Sequence, residues 1–108
     1  MMPDQIQLLR RLVLNDKEAV YAVMGGGRPE LMSLDSHTAI LIKIAVLLSV
    51  DSDPATFQWA VELAVAAGVD DSEVFSTLIA VAPIIGMARL NSSLPHLMTA
   101  LDIDVIEG

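Results

Sequence analysis

Apolar residues recur at intervals of three and four along most of the chain, the spacing that places them on one face of an α-helix. Ile6, Leu9 and Val13 form the first such set. The β-branched run at residues 40–50 is too long for a strand, and no segment keeps the strict alternation of a half-buried strand. The pattern therefore predicts helices at about residues 4–13, 16–24, 35–49, 53–67, 70–85 and 87–101.

Short polar side chains stand where these helices are predicted to begin. Asn15 or Asp16 is placed to cap the second helix, and Asp35 or Ser36 the third. Such a side chain accepts a hydrogen bond from a backbone N–H of the first helical turn, which has no partner within the helix. The caps therefore support the starting points that the apolar spacing predicts.

The fourth and fifth helices carry the most detailed boundary signals. Asp53 is predicted to be an N-cap, with Pro54 at the first helical position, where a missing N–H costs nothing. Gly68 is predicted to end the fourth helix. Asp70 and Glu73 have the three-residue separation of a capping box, which opens the fifth helix.

Glycine and proline predict the remaining breaks. The Gly-Gly-Gly-Arg-Pro run at residues 25–29 follows a helix instead of a strand, so we interpret it as a flexible loop and not as a phosphate cradle. Pro83 and Gly86 are expected to kink or end the fifth helix, and Pro95 to perturb the sixth. The acidic tail, residues 102–108, is expected to fray. The predicted fold is a single all-α domain over residues 1–108, a compact bundle of five to six helices.

The apolar content is high for a chain of this size. Of its 108 residues 54% are hydrophobic, and the mean hydropathy is +0.59. A small domain has too little interior for this many apolar side chains, so the surplus is expected in a homo-oligomeric interface. The apolar runs are too short for a membrane span, and we expect no membrane association.

Charge and cysteine content exclude several classes of function. Residues 1–43 hold five acids and five bases, whereas residues 44–108 hold nine acids and Arg89 alone. Without a basic stripe, nucleic-acid binding is not expected. The absence of cysteine excludes thiol nucleophiles, disulfides and thiolate metal sites. It also fits a cytoplasmic location.

Four titratable side chains, those of Lys43, Glu62 and the two histidines, could be either structural or functional. Glu62 and Lys43 stand in otherwise apolar helices, where each is either an acid–base group in a pocket or a residue that reaches solvent or an ion-pair partner. His37 is interpreted as a surface residue of a first helical turn. His96 follows Pro95 and is a candidate general base. No spacing of ligands indicates a metal or a cofactor.

Several motifs in residues 34–97 together resemble a known family. Residues 34–38 (Leu-Asp-Ser-His-Thr) precede an apolar helix at residues 40–48, residues 62–69 end in Ala-Ala-Gly-Val, and residues 70–74 follow with Glu73. This order and spacing is similar to the carboxymuconolactone decarboxylase superfamily, which includes the alkyl hydroperoxidase D-like proteins. The resemblance implies a helical fold that assembles as a symmetric trimer or hexamer.

The chain departs from that family at its functional positions. The redox cysteines and the following histidine of the hydroperoxidase branch correspond to Asp53, Thr56 and Ala60, and a second histidine of the decarboxylase branch corresponds to Ala80. The family's Thr-Arg-Glu reads Thr-Ala-Ile at residues 38–40. Since the chain has no cysteine, thiol-dependent peroxidase activity is excluded.

The leading hypothesis is accordingly an oligomeric structural or small-molecule-binding protein without the family's catalytic groups. The resemblance places Asp53, Thr56, Trp59, Ala60 and Ala80 around its pocket. The alternative is a cofactor-free decarboxylase, isomerase or hydrolase of a small acid or lactone from aromatic degradation, with Glu62, Lys43 or His96 as the acid–base group. A third hypothesis is an interaction module that uses the acidic tail.

Overall fold

Six α-helices and one short 3-10 turn make up the secondary structure of the computed structural model, which describes residues 1–25, 29–104 and 106. No strand occurs in these ranges, so the predicted all-α class is confirmed. The helices are α1 (Pro3–Val13), α2 (Lys17–Met24), α3 (Ser36–Ser49), α4 (Pro54–Ala66), α5 (Asp71–Ile85) and α6 (Met87–Ala100), and the 3-10 turn is Pro29–Leu31. The predicted glycine loop falls mainly on residues 26–28, outside the described residues, as do residues 105, 107 and 108 of the predicted frayed tail.

Four aspartates cap helices as predicted. In each case one carboxylate oxygen accepts a hydrogen bond from the backbone N–H three residues further on. The pairs are Asp16 with Ala19 (3.0 Å), Asp35 with Thr38 (2.8 Å), Asp53 with Thr56 (2.7 Å) and Asp70 with Glu73 (3.0 Å). Each cap satisfies a donor that the helix leaves open, which is typically worth about 1 kcal/mol.

The break between the last two helices lies at Gly86. Helix α5 continues past Pro83 to Ile85, and Gly86, with φ +84°, separates it from α6. This φ lies in the left-handed region that side chains with a Cβ rarely adopt, so the chain turns at the glycine and not at the proline. Pro95 likewise stands inside α6 without ending it.

The described residues group into two compact units, Met1–Leu34 and Asp35–Gly108, here called the first and second units. In the second unit α3 packs against α4, α5 and α6. Its core is formed mainly by Ile40, Ile44 and Leu48 from α3, Phe57, Ala60, Val61 and Ala64 from α4, Val74 from α5, and Leu90 and Leu97 from α6. Each fully buried large aliphatic or aromatic side chain contributes roughly 1.5–3 kcal/mol from its removal from water.

The first unit is a helical hairpin with little interior. Among its described residues only Ala19 is buried. Polar contacts supplement the packing of α1 on α2: Arg11 Nη2 lies 3.0 Å from Asp16 Oδ1, and Gln5 Nε2 donates to the Leu31 carbonyl at 2.6 Å. Over the described residues, none of the helices combines the length and the apolar character that crossing a membrane requires.

Candidate functional site

The start of α4 holds the positions that the family resemblance assigns to redox chemistry. Asp53 is the N-cap of α4, Thr56 is half-buried in the first turn of that helix, and Ala60 is buried in the core. The pKa of Asp53 is lowered mainly by hydrogen bonds from the Thr56 hydroxyl and backbone N–H, and to a smaller extent by the charge of His96. Asp53 is therefore an ionised carboxylate that caps the helix. The methyl side chain of Ala60 has no group that could take part in catalysis.

His96 faces this same end of α4 from α6. Its ring centroid lies 6.4 Å from that of Phe57, with the two rings tilted by 39°. The side chain is half-buried and lies close enough to Asp53 to contribute to the lowered pKa of that carboxyl. The structure thus brings together one sequence candidate, His96, and one pocket position, Asp53.

Lys43 and Trp59 form a second association between predicted site residues. Lys43 Nζ lies 5.9 Å from the centroid of the Trp59 ring, a distance at which a cation is attracted to the face of an aromatic ring. Both side chains are exposed. The lysine therefore reaches solvent across a tryptophan, an outcome close to the surface alternative in the sequence interpretation.

Glu62 lies on the solvent side of α4. It is exposed, and its Oε1 accepts a hydrogen bond from Gln58 Nε2 at 3.2 Å. This position agrees with the solvent-stripe alternative for Glu62, although its bonded partner is a glutamine of its own helix and not Lys43 or Arg89.

Ala80 borders a shallow, open depression between α3 and α5, together with Leu41, Ser76 and Thr77. The hydroxyls here have local partners: Ser76 Oγ donates to the Ser72 carbonyl at 2.8 Å, and Thr77 Oγ1 to the Glu73 carbonyl at 3.0 Å. Each hydroxyl proton is held by a backbone acceptor of the same helix. Nothing in this arrangement activates a hydroxyl as a nucleophile.

His37 has a more defined role than a surface position implies. Its Nδ1 lies 3.3 Å from Glu73 Oε2, which joins the first turn of α3 to the first turn of α5. The hydrogen bond to Glu73 is the main cause of the raised pKa of His37, and the Ala67 carbonyl and the charge of Asp35 add to it. His37 lies in the first turn of α3, as predicted, but its partner 36 residues away has no signal in the sequence.

A buried polar contact also lies outside the sequence predictions. Ser93 is fully buried, and its Oγ donates to the Leu48 carbonyl at 3.0 Å, while Ser92 Oγ lies 2.8 Å from both carboxylate oxygens of Asp51. These bonds fasten the end of α3 to α6. Two consecutive serines inside an apolar helix are the only sequence signal for this contact.

An apolar groove in the second unit, the α5–α6 groove, is a further feature that the sequence does not predict. It has a volume of about 290 Å³ and is bordered by Asp71, Phe75 and Leu78 on one side and by Leu94, Met98 and Ile103 on the other. Among the residues that the structure describes, Asp71 is the single charged one along its wall. This volume is near the lower end of the range for small-molecule sites, roughly 300–1,000 Å³.

The described residues contain no group of three or more histidine or acidic side chains that would hold a metal ion. Comparison of the chain with protein families, with curated proteins and with solved structures gives no match. The resemblance stated above therefore depends on the motifs of residues 34–97 alone.

Proposed function

We propose that this protein is a homo-oligomer with the carboxymuconolactone decarboxylase-like, alkyl hydroperoxidase D-like fold. It forms a trimer or hexamer that binds a small molecule without transforming it. The positions that perform chemistry in such proteins are here a helix cap, Asp53, and a core residue, Ala60. The α5–α6 groove offers an apolar binding surface on which Asp71 is the only charged wall residue within the described part of the chain. Neither location presents a nucleophile next to a base.

The observation that carries self-association is the second apolar row on α3. One row, Ile40, Ile44 and Leu48, is buried in the core of the second unit. The other row, at the same four-residue spacing, remains 46%, 51% and 58% exposed at Ile42, Val46 and Val50. A helix that is apolar on all sides is usually buried on all sides, so this second row requires a partner.

A second copy is the partner that this surface favours. Most soluble oligomers are homo-oligomers with closed symmetry, so another copy of this chain is a more frequent partner for such a row than a different protein. The only lysine or arginine among residues 36–50 is Lys43, whose charge lies over Trp59. The chain has a net charge of −8, so apolar burial has to outweigh electrostatic repulsion between copies.

The test is the molar mass of Val46→Glu compared with Asn91→Glu. Both positions are exposed and both variants gain one negative charge, but only Val46 belongs to the exposed row of α3. Light scattering after gel filtration is expected to give an oligomer for the wild type and Asn91→Glu, and a protomer for Val46→Glu with unchanged helical circular dichroism. An oligomer that survives Val46→Glu together with Ile42→Glu would contradict the proposed interface.

A second candidate function is the cofactor-free acid–base enzyme, with Glu62, Lys43 or His96 as the acid–base group. The proximity of His96 to the capped carboxylate of Asp53 favours this candidate at the start of α4. It predicts turnover of a small acid or lactone that is lost in His96→Gln. Absence of turnover across a panel of lactones and β-keto acids would leave the non-catalytic proposal standing.

A further inference from the structure

The α5–α6 groove has two chemically different ends. Asp71 in the first turn of α5 and Ile103, just beyond α6, lie at one end, whereas Leu78 and Leu94 lie further along the two helices. Asp71 and Leu78 are seven residues apart, which corresponds to roughly 10 Å at about 1.5 Å rise per residue. The groove thus has a carboxylate at the end formed by Asp71 and Ile103, here called its mouth, and apolar side chains along the rest of its length.

The charges around the mouth favour a cation. Ile103 is flanked in the chain by Asp102 and Asp104, and none of the lysine, arginine and histidine residues that the structure describes borders the groove. Within residues 35–108 the sequence holds ten acids, with Lys43 and Arg89 as its only lysine or arginine. A carboxylate ligand would therefore meet like charge, whereas an ammonium group would be attracted to this end of the groove.

The helix ends at the mouth of the groove also favour a cation over an anion. Two backbone amides at the start of α5 are used by its own capping box: Asp70 Oδ1 accepts from the Glu73 N–H at 3.0 Å, and Glu73 Oε1 accepts from the Asp70 N–H at 3.3 Å. These amides are not open to an anion. The C-terminal end of α6, at Ala100, contributes the negative end of its helix dipole next to Ile103.

We propose that the α5–α6 groove binds a short amphiphile with a cationic head and an apolar tail of about eight carbons, with the head at Asp71 and the tail between Phe75, Leu78, Leu94 and Met98. This inference rests on the small-molecule binding in the proposed function and identifies its site and ligand class. Complementary charge selects the head, and the roughly 10 Å between Asp71 and Leu78 sets the tail length.

A chain-length series tests the ligand class directly. Calorimetry on the wild-type protein would measure affinities for n-alkylammonium ions, n-alcohols and n-alkanoates of matched length. Affinity for the ammonium ions is expected to rise about fourfold for each added methylene, since burying one methylene is worth about 0.8 kcal/mol. The rise should stop near eight carbons, and octylammonium should bind more tightly than octanol, and octanol more tightly than octanoate. Tighter binding of octanoate, or no dependence on length, would overturn the proposal.

Two variants locate the binding in the groove. Asp71→Asn is expected to weaken octylammonium about threefold, as for an exposed ion pair, and to leave octanol unchanged. Asp4→Asn, which makes the same change at an exposed residue in the first turn of α1, should change neither affinity. Leu94→Phe narrows the apolar end, so the optimum should move to a shorter tail while the preference for ammonium persists. Equal effects of Asp71→Asn and Asp4→Asn would assign the preference for ammonium to net charge alone and overturn the proposed site.

Measuring the molar mass together with octylammonium binding distinguishes a failure of this inference from a failure of the self-association proposal. A wild-type protomer that binds octylammonium with the predicted length dependence would refute self-association and support the groove. If octylammonium does not bind and Phe75→Glu converts an oligomer to protomers, then a second copy occupies the groove and the ligand proposal is wrong.

Discussion

The two units of this chain are both helical and both rich in apolar residues, yet they use those residues in opposite ways. The first unit has balanced charge and buries only Ala19 among its described residues, whereas the second carries the net charge of −8 and nearly all of the buried core. The first unit depends on a cap and an ion pair at Asp16, and the second on a packed interior around Phe57. Apolar spacing therefore predicts where helices form, but not how much of their apolar surface a single protomer buries.

The largest expected effect contrasts one aromatic residue from each unit. Phe57 is fully buried, so Phe57→Ala is expected to lower the free energy of unfolding by about 3–5 kcal/mol, through lost transfer energy and the cavity left behind. Tyr21 is 78% exposed, so Tyr21→Ala should change the free energy by less than about 0.5 kcal/mol. Urea unfolding followed by circular dichroism measures both, and similar losses in the two variants would remove the contrast.

Loss of a helix cap is expected to have a smaller effect on stability, and this effect again differs between the two units. Asp70→Ala removes one partner of the α5 capping box and is expected to lower the stability of the second unit by about 1 kcal/mol. Asp16→Ala removes the cap of α2 and its contact with Arg11, and should instead speed amide hydrogen exchange in α2. The urea midpoint of the second unit should not move in Asp16→Ala. A shift as large as that of Asp70→Ala would mean that the two units unfold as one.

The smallest effect is a pH dependence of the second unit. Because the hydrogen bond to Glu73 raises the pKa of His37 above 6.5, the protonated histidine stabilises the folded state. This contribution is complete below pH 6.5 and is lost as the pH rises through the raised pKa. His37→Gln is expected to flatten the profile of urea midpoint against pH in this window, and Glu73→Gln to do the same. An unchanged profile in His37→Gln would show that the contact contributes nothing, as exposed pairs often do.

Local chemistry explains which parts of the fold are predictable from the sequence. The caps at Asp16, Asp35, Asp53 and Asp70 bond to a donor three residues away, so the sequence contains both partners within one helical turn. The end of α5 at Gly86 is local in the same sense, because only glycine readily adopts its φ of +84°. Pro83 does not end α5, which continues to Ile85, because a helix tolerates the loss of one hydrogen bond when its other contacts hold it in place.

The candidate site is less predictable because its contacts join distant residues. His37 and Glu73 are 36 residues apart, and Ser93 lies 45 residues from its acceptor at Leu48. Only the packing of α3 against α5 and α6 brings these partners together. The α5–α6 groove likewise has no sequence signal, since Leu78 and Leu94 have the helical spacing of ordinary core residues.

The self-association of the second apolar row on α3 is the central claim, and the molar mass of the wild-type protein tests it most directly. Sedimentation equilibrium over a range of protein concentrations, at low and at high salt, is expected to give three or six times the protomer mass of 11.6 kDa. Salt should strengthen the assembly, because it screens the repulsion between copies that each carry a charge of −8. A mass of 11.6 kDa at every concentration and salt level would contradict the account.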